Sequence, residues 1–282
     1  MFDKNKLKKI KLIVTDLDGT LLNNNGDIDD NSEELVFKLK SKGTDITFAS
    51  GRLHSALTEY ASTLNVKFPI ISLDGCLIKS SSDGKVLFES FVPEKSVKKA
   101  LDFADKFLLN IALCHADAIY YTEQNSVIPQ IMDKFGAVYK EVDSYDKYIN
   151  KTLEVVIASD FKENVKYVRD HMGFPYTFGL NTSYFKSQRH SGVYYLEIRK
   201  KGANKGKALQ KLLKHLKVKQ EETAVIGDWH NDISLFLPDT LKVTLENSVP
   251  ELKKMADIVI HKNNNEGGAA EFLEMVYKAK RN

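Results

Sequence analysis

The chain has 282 residues, 43% of them hydrophobic, enough for one large core or for one core with a smaller second domain. Its 41 basic and 38 acidic residues leave a net charge of +3, too balanced to demand nucleic acid, and no run of about eighteen apolar residues offers a membrane span. The two cysteines, Cys76 and Cys114, lie far apart in no Cys-x-x-Cys spacing, which speaks against a zinc site or a disulfide framework; with the charged start MFDKNKLKKI they point to a cytoplasmic protein.

The first buried strand is expected at about residues 9 to 15. In KLIVTDLDGTLL it delivers Asp16 and Asp18 into a turn at Gly19. Two carboxylates two residues apart repel, and burial raises the pKa of at least one of them. A divalent metal lets both stay ionised, so that one can act as nucleophile while its neighbour handles protons. This pattern belongs to phosphoryl transfer. SEELVFKLKSKG then has helical periodicity with Gly43 as its stop, and DITFAS reads as a second buried strand. Ser50-Gly51-Arg52 follows and opens the helical pattern HSALTEYASTLN, after which FPIISLDG reads as a third strand. Strands alternating with helices predict an α/β fold with a doubly wound parallel sheet, whose ligand site lies at the carboxyl ends of the strands. Asp16, Asp18 and Ser50 all fall where strands end.

From about residue 80 the rhythm changes. KVLFESFV, the helix PEKSVKKALDFADKF, the paired strands of IALCHADAIYYT, a helix around Val127 to Phe135, TLEVVIAS and FKENVKYVRDHM follow, and the period-two strand GVYYLEIRK closes the stretch. Hairpin-like pairs separated by helices predict an antiparallel α+β domain inserted into the first. The division is expected at residues 1–80 and 191–282 for the core and 81–190 for the insertion. The doubly wound rhythm resumes at GKALQKLLKHL and continues through ETAVIGD and LKVTLEN to a last helix, EGGAAEFLEMVYKAK.

Four elements stand in fixed order: Asp16-x-Asp18-Gly19-Thr20, Ser50-Gly51-Arg52, Lys205, and Gly227-Asp228-x-x-Asn231-Asp232. Together they resemble the haloacid dehalogenase superfamily, and within it the Cof-type phosphatases, which carry a large α/β cap between the second and third motifs. The resemblance covers nearly the whole chain. It implies that Asp16 attacks phosphorus to form an aspartyl-phosphate. It makes Asp18 the general acid for the leaving group and then the base for water, although a bare Asp before Gly also reads as a turn former. The implied ligands of Mg²⁺ are Asp16, the backbone carbonyl of Asp18, and Asp228, with Asp232 beside them or one step behind. Lys205 would neutralise phosphate and restrain Asp16. Ser50, with Gly51 and Arg52, would bind phosphate at a helix N-terminus, and Ser50 would serve as a plain N-cap there. Asn231 would bond phosphate, orient Lys205, or cap a helix.

The sequence departs from this pattern at Asp74-Gly75-Cys76, where many Cof-type members have Asn-Gly-Ala, and at the bulky Trp229-His230. Asp74 adds a carboxylate near the site rim with no assigned role, Trp229 and His230 are candidates to narrow the pocket or touch substrate, and Arg189 and His190 of the insertion, with the pair Tyr194-Tyr195, are further candidate contacts or else surface and strand-core positions. The expectation is a Mg²⁺-dependent phosphohydrolase whose partner is a small phosphorylated metabolite, such as a sugar phosphate or nucleotide-like cofactor. A sugar phosphomutase and a non-catalytic regulator on the same scaffold are the alternatives. Oligomeric state is left open.

Overall fold

The computed structural model describes residues 4–132, 137–187 and 190–281. In chain order its strands are β1 (Leu12–Thr15), β2 (Asp45–Phe48), β3 (Ile70–Ser72), β4 (Leu77–Lys79) and β5 (Val86–Glu89). They continue as β6 (Asn110–Cys114), β7 (Ile119–Tyr121), β8 (Tyr139–Glu141), β9 (Glu154–Ser159), β10 (Leu180–Lys186) and β11 (Tyr194–Lys200). Last come β12 (Thr223–Ile226), β13 (Leu241–Thr244) and β14 (Ile258–Val259). The contacts divide the chain into two compact units, one of residues 1–51, 57–87 and 204–282, the other of residues 52–56 and 88–203. Among the described residues no helix is long and apolar enough to cross a membrane.

In the first unit the strand order is β14-β13-β12-β1-β2, parallel throughout. A parallel bridge from Ala49 to Ile71 carries the end of β2 onto β3. LIVT and TAVI, the sequences of β1 and β12, are buried at every position, as strands covered on both faces require. The flanking helix Asp30–Lys40 starts where Asp29 accepts the Ser32 amide, and it packs Leu35, Val36 and Leu39 into the core. The last helix, Gly268–Arg281, adds Phe272, Leu273 and Val276 to the same cluster. β1 begins only at Leu12, because Lys4–Lys9 form a short helix ahead of it. The chain winds from β1 to β2 on one side and from β12 to β14 on the other, so the strand order reverses between β1 and β12. Thr15 pairs with Ile226, and Asp16 and Gly227 therefore emerge side by side at that switch point.

The second unit is a sheet of order β10-β11-β9-β6-β7-β8, antiparallel except for the parallel pair β7 and β8. Helices Glu94–Phe107 and Lys162–His171 press Val97, Ala100, Ala104, Val165 and Val168 onto Ile111, Val155, Ile157, Leu196 and Ile198. Tyr194–Lys200, the strand expected to close the insertion, is hydrogen-bonded inside this sheet between β9 and β10. The expected helix around Val127 to Phe135 spans Ile128–Ile131, and Phe135 lies outside the described residues.

Candidate active site

Asp16 continues the β1 ladder by one hydrogen bond, its amide donating to the Ile226 carbonyl at 2.9 Å. The turn that follows must be glycine. Gly19 has φ +74°, and a Cβ there would lie 2.4 Å from Asp228 Oδ2. Thr20 Oγ1 donates to Asp228 Oδ1 at 2.8 Å, and Asn247 Nδ2 donates to the Gly19 carbonyl at 2.7 Å, so the loops after β1, β12 and β13 are locked together.

Lys205 is the centre of the charge arrangement. It opens the helix Lys205–Leu216, whose N-cap Asn204 accepts the Lys207 amide at 2.8 Å, yet its side chain is fully buried. Its ammonium donates to Asp16 Oδ1 at 2.8 Å and to Asp232 Oδ1 at 2.6 Å, and Asp74 Oδ1 lies 3.9 Å away. Gly206 permits this approach, since a Cβ on it would fall 1.9 Å from the Ser234 carbonyl oxygen. Asp232 has both oxygens engaged: Oδ2 accepts the amides of Asp228 and Trp229 at 3.0 and 3.1 Å. Among the described residues Asp16 Oδ2 takes no hydrogen bond.

One carboxylate oxygen from each of Asp16, Asp228 and Asp232 lies within 4.8 Å of the others, a cluster suited to a hard divalent cation. The electrostatics call for one. Burial raises the Asp16 carboxyl well above its ordinary value; the Lys205 charge opposes this and the Asp232 and Asp228 charges add to it. Burial, then the Asp232 charge, push Asp228 up to about 7. Burial would lower Lys205, but the charges of Asp16, Asp232 and Asp74 outweigh it and hold the ammonium protonated. Asp18 is half-buried and stands outside the three-carboxylate cluster, though its charge is felt at Asp228.

Ser50 is buried, with its amide bonded to the Ile71 carbonyl and its carbonyl accepting the Asp74 amide. It does not begin a helix. Residues 50–53 bend first, and a short 3₁₀ turn, His54–Leu57, precedes the helix Thr58–Thr63. The N-cap reading of Ser50 and its helix-terminal anion site are therefore corrected. Gly51 faces Asp74, whose Oδ1 would lie 3.3 Å from a Cβ there. Arg52 is buried and groups with the second unit. Asn231 is not a cap either, since it lies inside the 3₁₀ helix His230–Leu235 behind Trp229, and its Nδ2 donates to Asp74 Oδ1 at 2.9 Å. Trp229 is half exposed with the exposed His230 edge-on to it. In the second unit His190 occupies the β10–β11 turn, its amide on Ser187 Oγ. Tyr194 stacks on Tyr184, and Tyr195 donates its hydroxyl to the Ile131 carbonyl. Arg189 lies outside the described residues. Sequence reading gave no role to Thr20, although it stands within the first motif, and nothing in the sequence marks Asn247.

The profile of the haloacid dehalogenase-like hydrolases matches residues 13–273. Phosphatase YwpJ of Bacillus subtilis is 26% identical, over 92% of this chain and 98% of its own. The 5-amino-6-(5-phospho-D-ribitylamino)uracil phosphatase YitU of the same organism is 23% identical, over 93% and 96%. A crystal structure of a haloacid dehalogenase-like hydrolase from Bacteroides thetaiotaomicron, 26% identical, matches with a TM-score of 0.83 over 95% of this chain and 99% of that one. A parallel α/β sheet with buried carboxylates at its switch point is thus the frame of a phosphatase. The chain belongs to the haloacid dehalogenase-like hydrolases.

Proposed function

We propose that the enzyme hydrolyses phosphate monoesters of small metabolites with Mg²⁺, through an aspartyl-phosphate on Asp16. One observation carries this reading: Lys205 holds Asp16 by Oδ1 alone, while Oδ2 takes no hydrogen bond beside two further buried carboxylates. Asp16, Asp228 and the backbone carbonyl of Asp18 would hold Mg²⁺, which supplies charge neutralisation for the phosphate oxygens when bound. Asp232, with both oxygens engaged, supports Lys205 and the Asp228 backbone in preference to reaching the metal itself.

Asp16 Oδ2 attacks phosphorus, and the bond from phosphorus to the ester oxygen breaks. Asp18 gives its proton to the leaving alkoxide. It then takes a proton from the water that attacks the phosphorylated Asp16, which releases inorganic phosphate and restores both carboxyl groups. Ser50, Gly51, Arg52 and Asn231 make up the phosphate-binding set in this reading, with Lys205 balancing charge. The inserted unit acts as a substrate-selecting cap. The name of the relative YitU specifies a phosphorylated ribityl compound, which supports a polyol or sugar monoester as substrate. A cytosolic setting belongs to the same reading.

The test is phosphate release from a panel of phosphorylated metabolites by the purified protein in Mg²⁺ and in excess chelator. Release matching substrate loss, abolished by chelator and restored by Mg²⁺, is expected. Full turnover in chelator would overturn the metal role, and transfer back to bound sugar without net release would make the protein a mutase.

A further inference from the structure

Beyond Asp16 the chain leaves the sheet, and the turn that carries Asp18 closes on itself. The Leu17 carbonyl accepts the amides of Thr20 and Leu22 at 3.2 and 2.9 Å, and Gly19 has φ +74°. Further holds come from the C-terminal part of the chain. Asn247 donates its Nδ2 to the Gly19 carbonyl at 2.7 Å, and its Oδ1 accepts the Asn264 amide at 3.1 Å. Asn264 Nδ2 donates in turn to the Leu22 carbonyl at 2.9 Å and to Asn24 Oδ1 at 3.1 Å, while Asn265 Oδ1 accepts the Asn24 amide at 2.8 Å. Asn263 anchors this run, since its Oδ1 accepts the amides of Asn265 and Glu266 at 2.9 and 3.1 Å.

Asn247 thus commits its donor to one loop and its acceptor to another, which a planar amide can do and a carboxylate or an aliphatic side chain cannot. It is exposed and Asn264 is partly buried, so these bonds compete with water and add little to stability. What they fix is direction. Asp16 is held separately, by its amide in the β1–β12 ladder and by Lys205 on Oδ1. Resting on the phosphatase reading above, we propose that Asn247 and Asn264 are positioning residues, which clasp the turn at Gly19 and Leu22 and so aim Asp18 for proton transfer. They act through backbone and touch neither substrate nor phosphorus, and the attack by Asp16 does not depend on them.

The leaving group separates these roles. An alkoxide departs only with the proton from Asp18, 4-nitrophenolate departs without one, and water needs Asp18 as base after either ester. Asn247→Ala and Asn264→Ala are compared with wild type in Mg²⁺ on 4-nitrophenyl phosphate and on glycerol 3-phosphate or the best alkyl ester of the metabolite panel. Either variant that melts cooperatively decides the matter. For the alkyl ester kcat is expected to fall about tenfold with KM little changed, the size of a misplacement well under about 1 Å. First-turnover release of 4-nitrophenolate should stay within about twofold of wild type, while the trapped phosphoenzyme rises because its hydrolysis slows. Hydrogen exchange from Leu17 to Asn24 should quicken with β1 unchanged. An alkyl-ester kcat like that of wild type, equal losses on both esters without phosphoenzyme build-up, or exchange as slow as in wild type would overturn the proposal. A wild type inert toward both esters and the whole panel would instead bring down the phosphatase reading and the proton role with it, while exchange would still report whether the clasp holds the turn.

Discussion

In the proposed mechanism Lys205 carries charge and Asp16 carries the reaction, and substitution separates the two. Asp16→Asn removes the attacking oxygen and is expected to abolish phosphoenzyme trapping with a good leaving group. Asp18→Asn leaves labelling in place but lowers turnover of a poor leaving group by about 10²- to 10⁴-fold. Equal labelling of wild type and Asp16→Asn would show the nucleophile misassigned. Lys205→Met leaves Asp16 and Asp232 buried without their cation, and breaking a buried ion pair this way costs about 3–5 kcal/mol. Chemical denaturation should show that loss, and a stability within 1 kcal/mol of wild type would contradict a buried charge at Lys205. Asp16, Asp18, Ser50 and Asp228 were legible because each follows an apolar strand run, whereas Lys205, one of several lysines in a polar stretch, was picked out by the resemblance alone. Asp74 beside Asn231 was not legible, since 157 residues separate them and only the winding of the sheet brings them together. Ser50 misled for a local reason: its Ser-Gly-Arg run has the composition of a helix start, but the chain bends there and helical turns begin only at His54.

At the scale of elements, one glycine sets the spacing at which two helical elements meet beside the site. Gly206 holds the helix Lys205–Leu216 against the 3₁₀ helix His230–Leu235, where a Cβ would stand 1.9 Å from backbone oxygen. Backbone cannot yield as a flexible side chain does. Gly206→Ala should therefore cost about 1–3 kcal/mol by overpacking and displace Lys205 from Asp16, lowering kcat by more than the stability loss explains. Unfolding curves and kcat measured on the same preparation check this, and a variant with parent stability and parent kcat would refute it. The sequence revealed most core elements here because parallel strands buried on both faces read as unbroken apolar runs. It missed β8 and β10 because both are sheet edges with exposed positions along them, and half-solvated edges lose the apolar signal. The parallel pairing of β7 with β8 escaped for the same reason.

Taken as a whole, the molecule holds like-charged carboxylates together in its first unit, which the proposed function leaves to a cation to relieve, and this gives stability a pH dependence of definite sign. Asp228 titrates near 7 in the fold against 3.8 for its ordinary value, so between about 4 and about 7 the folded state binds more protons than the unfolded. Asp16 is raised in the same direction. Their contribution to stability is thus lost as pH rises through that window in chelator, and it stays lost above it. Mg²⁺ needs these groups ionised, so its affinity climbs over the same range and it stabilises most where the metal-free protein is weakest. A saturating metal at a hundred times its Kd contributes about 2.7 kcal/mol. The measurement is Tm against pH in EDTA and in Mg²⁺, read as the gap between the curves. Taking the gap cancels groups remote from the metal, including His115, whose burial lowers its pKa and acts with the opposite sign. The gap should widen from about pH 5 to about pH 8, and Asp228→Asn should flatten it while raising the Tm in EDTA near neutral pH. A gap that stays constant across that range would mean that the buried carboxylates do not hold the metal.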